Sequence, residues 1–553
     1  MGFRVKSEIS FIRFIVAAVT LITLALTPWI NSDSLIIPKI IILFLTGMFF
    51  LPQVLFNFRH YLSNFLLKIT FFLALLFLIQ MVIAIVLSRA PFEQQLYGRT
   101  GRGVGFITFF SLIIILLATS LFTSINQIKI ILFGAILSTI LTSIYAICQN
   151  FGFDIFEWNT RTNGIIGTLG NPNFQSSMAA FALVPSVLYL KLNKKRNLFI
   201  SFLCGSILLA VIYFCQSTQG YISVVLAILT YFGLVTYYKS KALFKVISVL
   251  FFSVIVCIIL GMANQGPFAN FLYKLSVKSR AEMWRTAIAS ANDNPFFGVG
   301  LDSFGDWSRF YTSASDAKGV NEYIDSAHNY FLDLATFGGY PLAVIYFLII
   351  ILTLASFLSI VRKNEFNKEI ASLFCMWTVL QAQSLISPIN IVLLTWSILI
   401  CGAVMGVASK GSIQGVRQEG FQFRKFDFSR PFSIFLASVS LLITYPYFNV
   451  DRMQLDSLDT RNANLAIKSA KAFPESVVRY HRIGLELLNS GLLDQSLEVA
   501  RSAVEFNPNA ISGWALILAN ERAPLTERIK AQTEILRLDP FNNEVRDLKL
   551  TVP

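Results

Sequence analysis

Apolar residues recur along the first 450 positions in runs of about 20, each long enough to cross a bilayer, with polar segments between them. These runs predict thirteen spans, at roughly 11–30, 36–55, 66–88, 104–122, 128–148, 172–190, 198–215, 221–238, 246–262, 340–360, 370–388, 390–408 and 432–448. The first run reads as a retained span. Its small-residue site, Ala25-Leu26-Thr27, is followed at once by Pro28, which does not suit a cleaved signal, and more spans follow. The pattern therefore predicts an all-α fold, a polytopic membrane helical bundle of about 12–13 spans.

Most connections between the spans are short, but residues 263–339 form one long mixed-polarity segment. Loops beyond about 12–15 residues are usually functional or disordered. This one reads as ordered, with an apolar-periodic helix around Ala281–Ala291, a Pro-Gly turn at Pro295–Gly298 and aromatics throughout. The chemistry is expected here, on one face of the membrane. From about residue 455 the pattern turns soluble and helical. The expected organisation is a membrane domain over 1–450 carrying the large loop 263–339, then a soluble helical-repeat domain over 455–553.

Composition agrees: 55% of the 553 residues are hydrophobic and 14% charged, against about 25% charged in soluble proteins. The net charge of +14 does not indicate nucleic acid, because Lys and Arg cluster in alternate short loops. That is the positive-inside pattern. It puts the N-terminus in the cytoplasm and both the large loop and the C-terminal domain outside. All six cysteines lie in or at the edge of apolar runs, with no disulfide framework and no Cys-x-x-Cys pair for zinc. No metal and no cofactor are expected.

Some arginines break the charge pattern. Arg89, Arg99, Arg102, Arg161, Arg280 and Arg285 fall on the face that should be poor in them. Arginine offers a planar fork of donors suited to phosphate. The glycines around Arg99 and Arg102 would also let backbone N–H groups approach an anion. The alternative is contact with lipid headgroups or pairing with carboxylates such as Glu93 and Asp154. Few charges lie inside the spans, which disfavours an ion-coupled transporter, exporter or flippase. Among the three histidines, His328 alone shares a face with these arginines. With an unperturbed pKa of about 6.5, it suits a general base; the alternative is a helix-start or packing histidine. Asp325 could orient its ring or be a plain surface carboxylate.

Taken in order, Arg280-x-x-x-Trp284, Pro295-x-x-Gly298-Val299-Gly300-x-x-x-Phe304, and Ala327-His328-Asn329 followed by Gly338-Gly339 resemble the O-antigen ligase/polymerase superfamily. Tyr97-Gly98-Arg99 and Gly167-Thr168-Leu169-Gly170-Asn171-Pro172-Asn173 resemble upstream elements of that superfamily. The similarity covers roughly residues 80–400 as short motifs in fixed order.

The resemblance implies a metal-independent glycan transferase of a bacterial cytoplasmic (inner) membrane. Such an enzyme moves a glycan from an isoprenoid diphosphate carrier to an acceptor that is a glycan, lipid or protein. It implies His328 as the acceptor base and Arg280 as a catalytic diphosphate ligand. Arg99, Arg102 and Arg161 would assist at the diphosphate, and Asp325, Asn329 and Trp284 would support the site. The superfamily often has Arg in a Thr/Ser-Arg pair where this chain reads Gln216-Ser217-Thr218-Gln219-Gly220. Gln219 then takes that place without a charge. A polymerase joining lipid-linked units, and a protein O-oligosaccharyltransferase, would use the same residues.

In the C-terminal region Tyr480-x-x-Ile483-Gly484-x-x-Leu487, Ala500, Ala503 and Pro508 resemble a tetratricopeptide repeat, which implies a concave surface for a protein partner; the alternative is a small helical cap that packs on the transferase.

Overall fold

The computed structural model describes residues 2–122, 124–154, 156, 158, 165–189, 195–272, 275–317, 324–410 and 426–550. The protein is an all-helical polytopic membrane bundle, and no strand occurs among the described residues. Each of the thirteen expected spans coincides with a helix. Nine described helices are long and apolar enough to cross a membrane, and Phe11–Leu24 and Phe106–Ser120 are shorter apolar helices beside them.

The caps explain where several helices start. Asn64, Asn329, Asn367 and Asn390 each accept from backbone N–H groups of the turn that follows. This satisfies donors that would otherwise be orphaned at a helix start. Burial sorts the helices by position. The apolar window of Ile391–Ser409 is 94% buried and that of Lys241–Met262 is 0% buried. The first is the core of the bundle; the second presents its side chains to lipid, where an apolar surface costs nothing.

Loops from distant parts of the chain meet at one end of the bundle. Gly101 N donates to Asp33 Oδ2 at 2.8 Å, and Asp33 N donates to Asp451 Oδ2 at 3.0 Å. Lys39, only 2% exposed, donates to Leu35 O at 2.7 Å and Thr168 O at 2.8 Å. Asn329 Nδ2 donates to Leu385 O at 3.0 Å.

The Tyr330–Lys363 helix is broken at Gly338 and Gly339. Gly339 has φ +74°, and a Cβ there would lie 2.4 Å from Phe296 C. The break lets the Asn294–Val299 turn enter: Tyr340 N donates to Pro295 O and Val299 N to Thr336 O, both at 2.8 Å.

The helix Phe426–Asp459 runs unbroken across the expected boundary near 455. Beyond it, Val477–Asn489 packs on Leu493–Phe506 and Ile511–Ala519 on Leu525–Leu538, as successive helical pairs. Tyr480, Ile483, Leu487, Ala500 and Ala503 are all buried there. Ser476 meets Thr100 at 2.8 Å and Arg482 reaches Ser32 Oγ at 2.8 Å, so these helices dock on the loop-rich end.

Candidate active site

The large loop contributes one long helix, Leu275–Asp293. Arg280 and Trp284 lie one turn apart on it and share a face. The loop then returns to the bundle and ends at the Ser326–Asn329 turn, immediately before Tyr330 opens the next helix.

That turn is rigidly held. Ser326 Oγ donates to both oxygens of Asp333 at 3.0 and 2.8 Å, and accepts from His328 N at 3.0 Å. Ala327 N donates to Asp333 Oδ1 at 2.7 Å. Asn329 caps the helix by accepting from Phe331 N at 3.0 Å and Leu332 N at 3.1 Å. These bonds hold His328 at φ +53°. A side chain rarely adopts this left-handed region, so the surrounding contacts must impose it. Gln216 and Asp302 are also left-handed, at +50° and +52°.

The electrostatics of His328 follow from this placement. Burial lowers its pKa to about 4, with a further push from the Arg280 charge; Asp325 opposes and Arg102 adds to the lowering. The imidazole is therefore neutral near pH 7 and can accept a proton. Its Nδ1 is buried without a hydrogen-bond partner among the described residues. No hydrogen bond joins Asp325 to His328. Asp325 instead gives its carbonyl to Arg102 Nη1 at 2.7 Å, with its carboxylate at 3.4 Å. Its influence on the ring is through charge. Burial also lowers the Arg280 pKa.

Arg99 and Arg102 are deeply committed. Arg99 Nη1 lies 2.7 Å from Asp306 Oδ1, and the two side chains are 9% and 2% exposed. Arg102 lies 3.0 Å from Asp302, 3.4 Å from Asp325 and 3.8 Å from Asp333. Asp302 Oδ2 accepts from Arg99 N at 2.7 Å and Val104 N at 3.2 Å. The backbone of this loop thus does bind an anion, but that anion is the protein's own carboxylate. Burial raises the Asp302 pKa, and Arg102 opposes that. Arg285 likewise pairs with Asp316, at 2.6 and 3.0 Å. The partners are not the sequence neighbours Glu93 and Asp154. Arg161 lies outside the described residues.

Gln219 sits in a neutral network. Its Oε1 accepts from Gln383 Nε2 at 2.9 Å and Ser387 Oγ at 3.0 Å, and Ser177 donates to Gln383 at 2.7 Å. Ser217 Oγ donates to Asn173 Oδ1 at 2.6 Å, which joins this turn to the Gly170–Asn173 motif. Asn390 N donates to Tyr330 Oη at 3.1 Å, so the 385–390 loop connects the Gln219 network to the His328 turn. Asp302, Asp306, Asp333, Gln383 and Ser387 were not singled out from sequence. The one available signal was Asp333, a carboxylate in the first turn of an apolar helix.

The arrangement offers a neutral imidazole on which the Arg280 charge acts, and a neutral amide and hydroxyl network tied to the same turn through Asn390 and Tyr330. No group of three or more His, Cys, Asp or Glu able to hold a metal ion occurs among the described residues.

Residues 181–347 match the family model described as O-antigen ligase. The matched stretch of this ligase-like region includes Gln219, Arg280, Trp284, Asp325, His328 and Asn329, and leaves out Arg99, Arg102 and Arg161. The chain is also similar to the ComP-specific O-oligosaccharyltransferase of Acinetobacter baylyi (strain ATCC 33305 / BD413 / ADP1), with 25% identity over 236 residues. That alignment covers 42% of this chain and 41% of the relative, so the chain spans less than half the length of the protein it matches. Both similarities support a glycan-transferring ligase.

Proposed function

We propose that the protein transfers a glycan from an isoprenoid diphosphate carrier to an acceptor hydroxyl or amine at the outer face of a bacterial cytoplasmic membrane. The observation that carries this reading is the His328 turn, fixed by Ser326 and Asp333 inside the ligase-like region, with the Arg280 charge acting on its buried ring. His328 takes the acceptor proton as the acceptor atom attacks the anomeric carbon. The bond from that carbon to the carrier oxygen breaks, and the diphosphate leaves with the electron pair. Arg280 offsets its charge, the kind of preorganised electrostatic contribution that is commonly largest in such sites. Gln219, Gln383 and Ser387 form a neutral network that the 385–390 loop joins to the His328 turn. Arg99 and Arg102 hold the loops of this end together through their carboxylate partners.

A protein acceptor is the second reading, favoured by the similarity to an O-oligosaccharyltransferase. The helical pairs after residue 460 are then a tetratricopeptide-like platform that presents a protein partner. Purified protein incubated with extracted lipid-linked glycans and candidate acceptors, followed by mass spectrometry of the products, tests the proposal. Glycosylated acceptor is expected; a chain that only lengthens the lipid-linked glycan is a polymerase, and no transfer at all sinks the reading. Cysteines placed at Ser315 and Ser490 should both label from outside intact cells, as the charge pattern requires.

A further inference from the structure

We propose that the cleft between the end of the Phe65–Leu87 helix and the Asn294–Val299 turn is a subsite for neutral sugar units of the transferred glycan. This deepens the glycan-transfer reading and rests on it. The cleft encloses about 420 Å³, within the range of about 300–1,000 Å³ typical of small-ligand sites. Its lining includes Trp307, Tyr311, Phe297, Arg89, Asp293 and Asn294.

The polar groups have donor and acceptor capacity to spare. Asn294 Nδ2 donates to Tyr311 Oη at 2.9 Å, which leaves the tyrosine its own proton to donate. Arg89 broke the charge pattern with Arg99, Arg102 and Arg285, but it differs from them here. Neither Arg89 nor Asp293 forms an ion pair among the described residues, whereas the other three arginines are held by carboxylates.

Charge selects the ligand class. Arg89 and Asp293 sum to zero, and a phosphate would be repelled by the carboxylate. Sugar hydroxyls donate to Asp293 and accept from Arg89, while the C–H face of a sugar ring lies on an aromatic ring such as Trp307. The cleft is also mechanically joined to the proposed base. Val299 N bonds Thr336 O, eight residues along the helix segment that starts after His328. At about 1.5 Å rise per residue, the two places are roughly 12 Å apart. A short oligosaccharide with its reacting end at His328 reaches that far, so the cleft reads units distal to the bond being broken.

The test uses full-length protein in detergent, with lipid-linked glycan extracted from the source cells as donor. Arg89→Gln and Asp293→Asn are substitutions at exposed positions. Each is expected to raise the donor KM roughly tenfold, the scale of a lost charged hydrogen bond, with kcat within about twofold. The oligosaccharide released from that donor by mild acid should give saturation-transfer NMR contacts with wild type and lose them in Trp307→Ala. Transfer with unchanged KM in both polar variants overturns the subsite and leaves the function standing. So does transfer by a wild type that binds no released oligosaccharide. Loss of phosphatidylglycerol binding in nanodiscs, with oligosaccharide binding intact, makes the cleft a headgroup site and also overturns it. A wild type that transfers nothing removes the function and the subsite with it.

Discussion

Asn507, from the C-terminal helices, donates to Asp306 Oδ2 at 3.0 Å, and the other oxygen of that carboxylate holds Arg99 at 2.7 Å. Gln94 adds a third donor at 2.9 Å. One buried carboxylate thus ties the C-terminal helices, the large loop and the Arg99 loop together. Asp306→Ala removes the buried carboxylate that pairs with Arg99, at a cost of about 3–5 kcal/mol. Asn507→Ala should cost about 1–3 kcal/mol. Thermal unfolding in detergent measures both; an Asp306→Ala protein as stable as wild type would show that the junction does not hold the loop.

His328→Ala should slow transfer by roughly 10²–10⁴-fold, the usual scale of general-base catalysis. Binding of the lipid-linked donor should persist, because Arg280 remains. Arg280→Lys keeps the charge but loses the fork, so both donor affinity and rate should fall. Wild-type turnover in His328→Ala would move the base elsewhere.

The pH dependence follows from the depressed His328 pKa. The ring is surrounded by Arg280 and Arg102 on the positive side and Asp325 on the negative. In the free enzyme the base form is complete above about pH 5, since the pKa is lowered to about 4. The acid limb of kcat/KM should therefore lie near pH 4, not near neutrality, and His328→Ala should lose it. A bound diphosphate favours the imidazolium, so the limb of kcat should move upward relative to that of kcat/KM. For folding, the unfolded chain takes up a proton near pH 6.5 that the folded ring refuses. Stability should drop as pH falls from about 6.5 to about 4. Rate profiles and melting curves over that range check both signs.

Gly298→Ala and Gly339→Ala test the joint between the large loop and the broken helix. Gly298 has φ +64°, and a Cβ there meets Thr336 O at 2.3 Å. The obstructing atoms at both positions are backbone, which cannot swing aside. Overpacking of this kind costs about 1–3 kcal/mol and left-handed strain adds about 1–2 kcal/mol. Each variant should melt earlier, and Gly205→Ala should not, because φ there is not left-handed and a Cβ meets nothing within 4 Å. An alanine at 339 with the wild-type melting point would contradict the joint.

The bundle was legible because lipid demands long apolar helices: each of the thirteen apolar runs coincides with a helix, and nine described helices are long and apolar enough to cross a membrane. The order of the Arg280, Pro295–Gly300 and Ala327-His328-Asn329 motifs also found the turn that holds His328. The electrostatics were not legible. For Arg99 and Arg102 the sequence leaves phosphate binding and carboxylate pairing both open, because their partners Asp306 and Asp302 lie some 200 positions away and nothing local announces the pairing. The same distance hid the Gln219–Gln383 contact, which spans 164 positions. Burial, which turns His328 from a residue titrating near neutrality into one titrating near pH 4, is a property of the assembled end and has no signature in the motif.

Lys39 carries a consequence for biosynthesis. One of its two carbonyl partners, Leu35 O, lies in the turn just before its own helix, but the other, Thr168 O, comes 129 residues later. At about 5–20 residues per second that is on the order of ten seconds of translation. During that interval the helix must enter the membrane with an ammonium lacking its second acceptor, and the long lysine stem lets the charge reach back to the headgroups. The Lys39–Thr168 bond can form only once the 167–170 turn has been made. The chain thus carries its own timing mark, with an early span completing its contacts only after a later segment has emerged.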